Sequence, residues 1–121
     1  MLTIQGGMMR QVRAPWLRVT IEGLSMIPTL APGEWWIARR TSVIRRGDLV
    51  VFEHPVFPGV IAVKRAIRQT EDGLWVEGDN PQVSTDSRDF GPVPSDHLLG
   101  VLWIRYRPAP WRRSRGGGRH D

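Results

Sequence analysis

The sequence predicts an all-β, mainly antiparallel single domain. Three observations lead there. The chain has 121 residues, which suits one domain. Six short runs alternate apolar and polar residues with a period of two, and clusters of Gly, Pro, Asn or Asp separate them. No stretch sustains a helical period. The expected layout is a lead-in over residues 1–15, a folded domain over 16–106 and an Arg/Gly-rich disordered tail over 107–121.

The first run, residues 16–21, puts Leu17, Val19 and Ile21 on one face and Trp16, Arg18 and Thr20 on the other. Strands are expected next at 34–39, 48–53, 59–68, 74–77 and 97–106. Thr70-Glu-Asp-Gly73 reads as a hairpin turn, with Gly73 supplying a positive φ. Trp16, Trp75 and Trp103 alternate with aliphatic residues, the pattern of core or half-buried positions. Two long irregular segments, 22–33 and 78–94, exceed what a minimal barrel needs, and at most a short turn follows Ser25. Loops of that length in a small domain usually carry function.

Composition excludes several chemistries. Hydrophobic residues are 40% and charged residues 24%, ordinary globular usage. With no cysteine there is no disulfide framework, thiolate metal site or thiol nucleophile. The net charge of +5 resides entirely in residues 105–121, and residues 1–104 balance to zero. Such a tail cannot bury enough apolar area to order itself, so the charge says little about the domain. No apolar run approaches the 18 or so residues of a membrane span, and residues 1–18 lack a signal-peptide core. The default location is the cytoplasm, without stable membrane insertion.

Against 16 arginines the chain has one lysine, Lys64. It is either the one lysine left on an arginine-rich surface or a residue whose task arginine cannot perform. Alternation sets it on a strand face with Val60, Ala62 and Ala66, while Arg65 points the other way. Among apolar groups an ammonium loses its charge more readily. Work as a base at neutral pH needs a drop of about three pKa units, roughly 4 kcal/mol. Arginine cannot deprotonate in this way.

A base needs a nucleophile, and Ser25 stands in a Gly/Pro-bounded turn directly after the first strand. Gly23 there would let a substrate backbone approach. A lone Gly-x-Ser is more often an ordinary turn, and Ile27 occupies the glycine position that a Gly-x-Ser-x-Gly elbow requires. His54, His97 and His120 are scattered without metal-ligand spacing. A triad of Ser25, His54 and Asp48 is conceivable in space. Asp79, Asp86 and Asp89 lack calcium-loop spacing and read as turn formers.

Four ordered motifs then carry a family resemblance. Gly23-Leu-Ser-Met-Ile-Pro-Thr-Leu30 resembles the serine box of type I signal peptidases and their relatives. Arg46-Gly-Asp-Leu-Val-Val-Phe52 is similar to their Arg-Gly-Asp strand, and Val63-Lys-Arg65 to their lysine box. Gly78-Asp-Asn80, Ser84, Asp86-Ser-Arg88 and Phe90-Gly91 are similar to their last box. The resemblance implies a signal-peptidase-like, LexA-like compact β fold and a serine–lysine peptidase. Ser25 would be the nucleophile and its backbone N–H an oxyanion donor, with Lys64 the general base and Ser84 the residue that orients it. Asp86 and Arg88 would pair to shape the loop, Gly78, Asp79 and Asn80 would form its turn, and Gly23, Met26 and Pro28 would contact substrate. Some relatives carry a second serine where this chain has Gly23.

With neither an anchor nor an inserted second β-domain visible, the chain looks most like the small soluble proteases that mature nickel-type superoxide dismutase. The expected reaction removes an N-terminal extension from a precursor polypeptide bound as an extended strand, through an acyl-enzyme, with no metal or cofactor. Trp35, Trp36, Phe52 and Phe57 could line its pockets, although core packing is the commoner use of such residues. Other readings are a signal peptidase acting on exported preproteins at a membrane, and a non-catalytic β-rich module whose basic tail touches nucleic acid. Self-cleaving repressors share the Ser–Lys chemistry but usually bring a DNA-binding domain. The sequence gives no oligomeric state.

Overall fold

Alternating residues with apolar faces form strands, and here all of them join one sheet. The computed structural model describes residues 2–5 and 14–107. The strands are β1 (Leu2–Gln5), β2 (Trp16–Ile21), β3 (Trp35–Arg39), β4 (Leu49–Glu53), β5 (Ile61–Thr70), β6 (Gly73–Glu77) and β7 (Leu98–Arg107). A single-turn helix α1 (Ser87–Phe90) and a 3-10 turn (Ser95–His97) precede β7. The sheet order is β1-β2-β3-β7-β4-β5-β6, and every pairing is antiparallel. β1 also approaches β5, so the sheet curls back on itself. Among the described residues no helix is long and apolar enough to cross a membrane.

The six expected strands are present, within about two residues at their ends. β1 is a seventh, formed within the expected lead-in and paired with β2 from Leu2↔Ile21 to Gln5↔Arg18. The tail expected over 107–121 lies outside the described residues from 108 onward, as do Met8, Met9 and His120. The hairpin turn joins β5 to β6, with Gly73 at φ 145°. A Cβ at Gly73 would also run into the Val93 backbone, which pairs with Leu74.

Central strands buried on both sides create two cores. On one side Leu17, Val19, Ile21, Ala38, Val51, Val63 and Leu102 pack with Met26 and Leu30. On the other, Val50, Phe52, Ala62 and Ala66 pack with Leu74, Val76 and Val93. Because side chains alternate, β5 sends Val63 into the first core and Ala62, Lys64 and Ala66 toward the second. Lys64 is paired across the strands with Val50.

Trp16 and Trp103 depart from the expected burial and are exposed, at 44% and 56%. The reason is the same alternation: Leu17 and Leu102 take the inward positions, and their tryptophan neighbours face out. Phe52 is a core residue, Trp36 packs against the first core, and Trp35 meets Tyr106 edge to face.

Candidate active site

The loop after β2 turns sharply over residues 25–29, with Leu30 N–H donating to the Met26 carbonyl at 2.9 Å. Leu30 and Met26 anchor this loop in the first core. That leaves Gly23, Leu24 and Ser25 on the rim of a cleft of about 220 Å³. Lys64 opens on the same cleft from β5, together with Val60 and Ala62. His54, Val83, Thr85 and Phe90 complete the lining.

Lys64 is 4% exposed, and its Nζ donates to Ser84 Oγ at 3.3 Å. Burial lowers its pKa, against the opposing pull of the Asp86 and Asp89 carboxylates. Ser84 in turn donates to Asp86 Oδ2 at 3.1 Å. Asp86 is fully buried but well satisfied. It accepts from the backbone N–H of Gly78 (2.9 Å) and Arg88 (3.0 Å) and pairs with the Arg88 guanidinium at 2.7 Å. Burial alone would raise its pKa. The Arg88 guanidinium, the two backbone N–H groups and the Ser84 hydroxyl outweigh burial and lower the pKa to about 2. Asp86 also caps α1, in a reciprocal box with Asp89.

Ser25 is held through its backbone. Its carbonyl accepts the Asn80 N–H at 2.8 Å, and Asn80 Nδ2 donates to the Leu24 carbonyl at 3.0 Å. Gly78 lies between the two serines: a Cβ there would come within 2.6 Å of Ser84 Cβ and 3.0 Å of the Ser25 carbonyl oxygen. On the far face of β5, Arg65 grips both Asp79 oxygens at 2.5 and 3.2 Å and donates to the Gly47 carbonyl at 2.9 Å. Thr29 Oγ1 also donates to Asp79, at 2.6 Å. Arg65 and Thr29 hold the Asp79 carboxyl below its usual pKa, Arg65 contributing most.

Most motif residues therefore converge, from three separate chain segments. Gly23 lines the cleft, whereas the Met26 side chain is buried in the first core and its sulfur accepts the Asp79 N–H at 3.4 Å. Pro28 is exposed and lies outside the cleft lining. The triad conceivable from Ser25, His54 and Asp48 is not built. Asp48 accepts the Arg45 N–H at 2.8 Å, and His54 Nδ1 accepts the Val56 and Phe57 N–H groups. Sequence reasoning missed the Arg65–Asp79–Thr29 latch. Its one signal was that Arg65 must face away from Lys64.

Comparison with known proteins is consistent with this arrangement. Residues 2–93 match the family described as Peptidase S24-like. The chain is 31% identical over 114 residues to mitochondrial inner membrane protease subunit 1 of Homo sapiens, covering 74% of this chain and 69% of that protein. It is 35% identical over 109 residues to mitochondrial ATP-independent inner membrane protease subunit 1b of Arabidopsis thaliana, covering 67% and 64%. With mitochondrial inner membrane protease subunit 2 of Saccharomyces cerevisiae it shares 27% over 121 residues, covering 75% and 68%. The match extends from β1 past the serine, lysine and Asp86 segments on this all-β sheet, and the chain belongs to the Peptidase S24-like family.

Proposed function

We propose that the chain is a serine endopeptidase working through Ser25 and Lys64. One observation carries the reading: the only lysine of the chain is buried, bonded to Ser84, and opens on the cleft that Ser25 lines. Burial favours the neutral amine, which is the form that accepts a proton. As Ser25 Oγ bonds to the substrate carbonyl carbon, its proton passes to Lys64 Nζ. The oxyanion accepts a hydrogen bond from the Ser25 backbone N–H. Collapse breaks the C–N bond, and the leaving amine takes the proton from Lys64. Water then attacks the acyl-enzyme, giving a proton to Lys64. As the bond from Ser25 Oγ to the acyl carbon breaks, Lys64 returns that proton to Oγ, which restores the hydroxyl and the neutral amine. Ser84 acts as a positioning residue for the amine. This chemistry calls on no metal or cofactor.

The substrate in this reading is a precursor polypeptide lying extended beside Ser25 and losing an N-terminal extension. The precursor proposed is that of nickel-type superoxide dismutase, processed in the cytoplasm, on the general likeness of the chain to the small proteases that mature it and not on any one of the four motifs. A second reading, processing of preproteins at a membrane, is supported by the relatives named as mitochondrial inner membrane protease subunits.

The test is mass spectrometry of candidate precursors incubated with wild type, Ser25→Ala and Lys64→Arg. Only wild type should release the extension. Cleavage by Lys64→Arg, which keeps the charge and loses only deprotonation, would overturn the mechanism. Cleavage that requires precursors presented on vesicles would favour the membrane reading.

A further inference from the structure

His54 is absorbed by none of the roles above, yet it lines the cleft with Ser25 and Lys64. It follows β4 directly, and its ring is fixed from three sides. Phe57 and Phe90 pack against it with ring centroids 4.9 and 4.7 Å away. Its Nδ1 accepts two backbone N–H groups, from Val56 at 3.0 Å and Phe57 at 3.2 Å. A nitrogen that accepts carries no proton, so the neutral ring has its hydrogen on Nε2. That N–H has no hydrogen-bond partner among the described residues. Burial and the neighbouring Lys64 charge both lower the His54 pKa, which keeps the ring in this form.

We infer that His54 is a specificity-determining residue, whose Nε2–H is offered to an uncharged acceptor oxygen on a substrate side chain. The inference rests on the peptidase reading. The rest of the pocket explains the choice of ligand. Val60, Ala62 and Phe90 give it apolar walls, so a side chain entering it gives up water and must replace the lost hydrogen bond. A rigid donor in such walls discriminates more sharply than the walls alone, because it is left unpaired by a purely apolar side chain. A carboxylate would accept equally well, but beside Lys64 it would stabilise the ammonium and remove the base. The preferred side chain is therefore an amide or a hydroxyl: Asn, Gln, Ser or Thr.

The experiment profiles a peptide library by mass spectrometry, comparing wild type with His54→Asn and His54→Gln. Asparagine can still offer an oxygen to the 56–57 amides but has nothing at the Nε2 position, while glutamine places an N–H near it. Wild type should prefer amide or hydroxyl side chains over isosteric apolar ones at one substrate position by roughly tenfold. The His54→Asn variant should level that ratio, the His54→Gln variant should keep part of it, and Asp or Glu at the position should be disfavoured. The ratio is the readout, since a general loss of folding would not move it. A wild-type profile without such a position, or one unchanged in His54→Asn, overturns the inference and leaves the peptidase reading intact. The same library is titrated against Ser25→Ala with and without His54→Asn. Selective binding that depends on His54, in a protein whose wild type cleaves nothing, would keep the His54 assignment and remove the peptidase reading.

Discussion

Lys64 sits between opposing influences. Burial pushes its proton off, while the Asp86 and Asp89 carboxylates hold it on, and burial dominates. In the proposed mechanism the neutral amine is the base, so kcat/KM should rise with pH through the Lys64 pKa, with a midpoint below that of a solvated lysine. Ser84→Ala removes the oxygen that fixes Nζ but leaves the amine. Its rate should fall by about one to two orders of magnitude without vanishing, as steady-state kinetics on a cleavable precursor would report. Asp86 obeys the opposite sign. Its folded pKa of about 2 lies below the ordinary value of 3.8, so ionised Asp86 stabilises the fold above the unfolded pKa. That contribution disappears as pH falls through 3.8 toward 2, and it amounts to at most about 2 kcal/mol. Urea unfolding of wild type should lose this increment between about pH 5 and about pH 2. Asp86→Asn should show a smaller loss over the same range and start from lower stability at neutral pH, because the Arg88 charge loses its partner.

At the level of elements, the site depends on the 78–94 loop being held against both faces of β5 and on the Ser25 loop being tied to it. Lys64 meets Ser84 on one face, and Arg65 latches Asp79 and Gly47 on the other. Gly78 is packed between Ser84 and the Ser25 carbonyl. Gly78→Ala would force Ser84 and the Ser25 carbonyl apart, so activity should drop more than about a hundredfold with a lower midpoint of thermal unfolding. If Gly78→Ala cleaves like wild type, the two loops do not have to touch. The convergence was legible in part. β2 could be read from Leu17, Val19 and Ile21, and the special status of Lys64 from its solitude among arginines. β1 was hidden because four residues carry almost no periodic signal, and its existence depends on pairing with β2. α1 was hidden for a related reason: one turn has no apolar stripe, and the Asp86 box that starts it also serves the site. The setting of His54 was out of reach, since Phe90 is brought to it only by the folding of the 78–94 loop. Local alternation specifies strands, but contacts between loops are nonlocal.

Across the whole molecule, β4 and β5 separate two cores of different importance for the chemistry. Lys64 emerges among Val50, Phe52, Ala62 and Ala66, so the second core supplies the low-dielectric surroundings that keep its pKa down. The first core anchors the Ser25 loop through Met26 and Leu30 but lies on the other side of β5 from the amine. Phe52→Ala and Leu17→Ala each delete a large buried side chain, one from each core. Their stability losses should be comparable, about 3–5 and 2–5 kcal/mol respectively. Their pH–rate profiles should differ. Space left by Phe52 admits water near Lys64, its desolvation is relieved, and the ascending limb shifts to higher pH. Leu17→Ala should leave that limb where it is, even at equal loss of stability. Measuring both variants well below their unfolding temperatures separates folding from catalysis. A shift of the same size in both would mean that overall stability, and not the second core's dry surroundings, governs the amine.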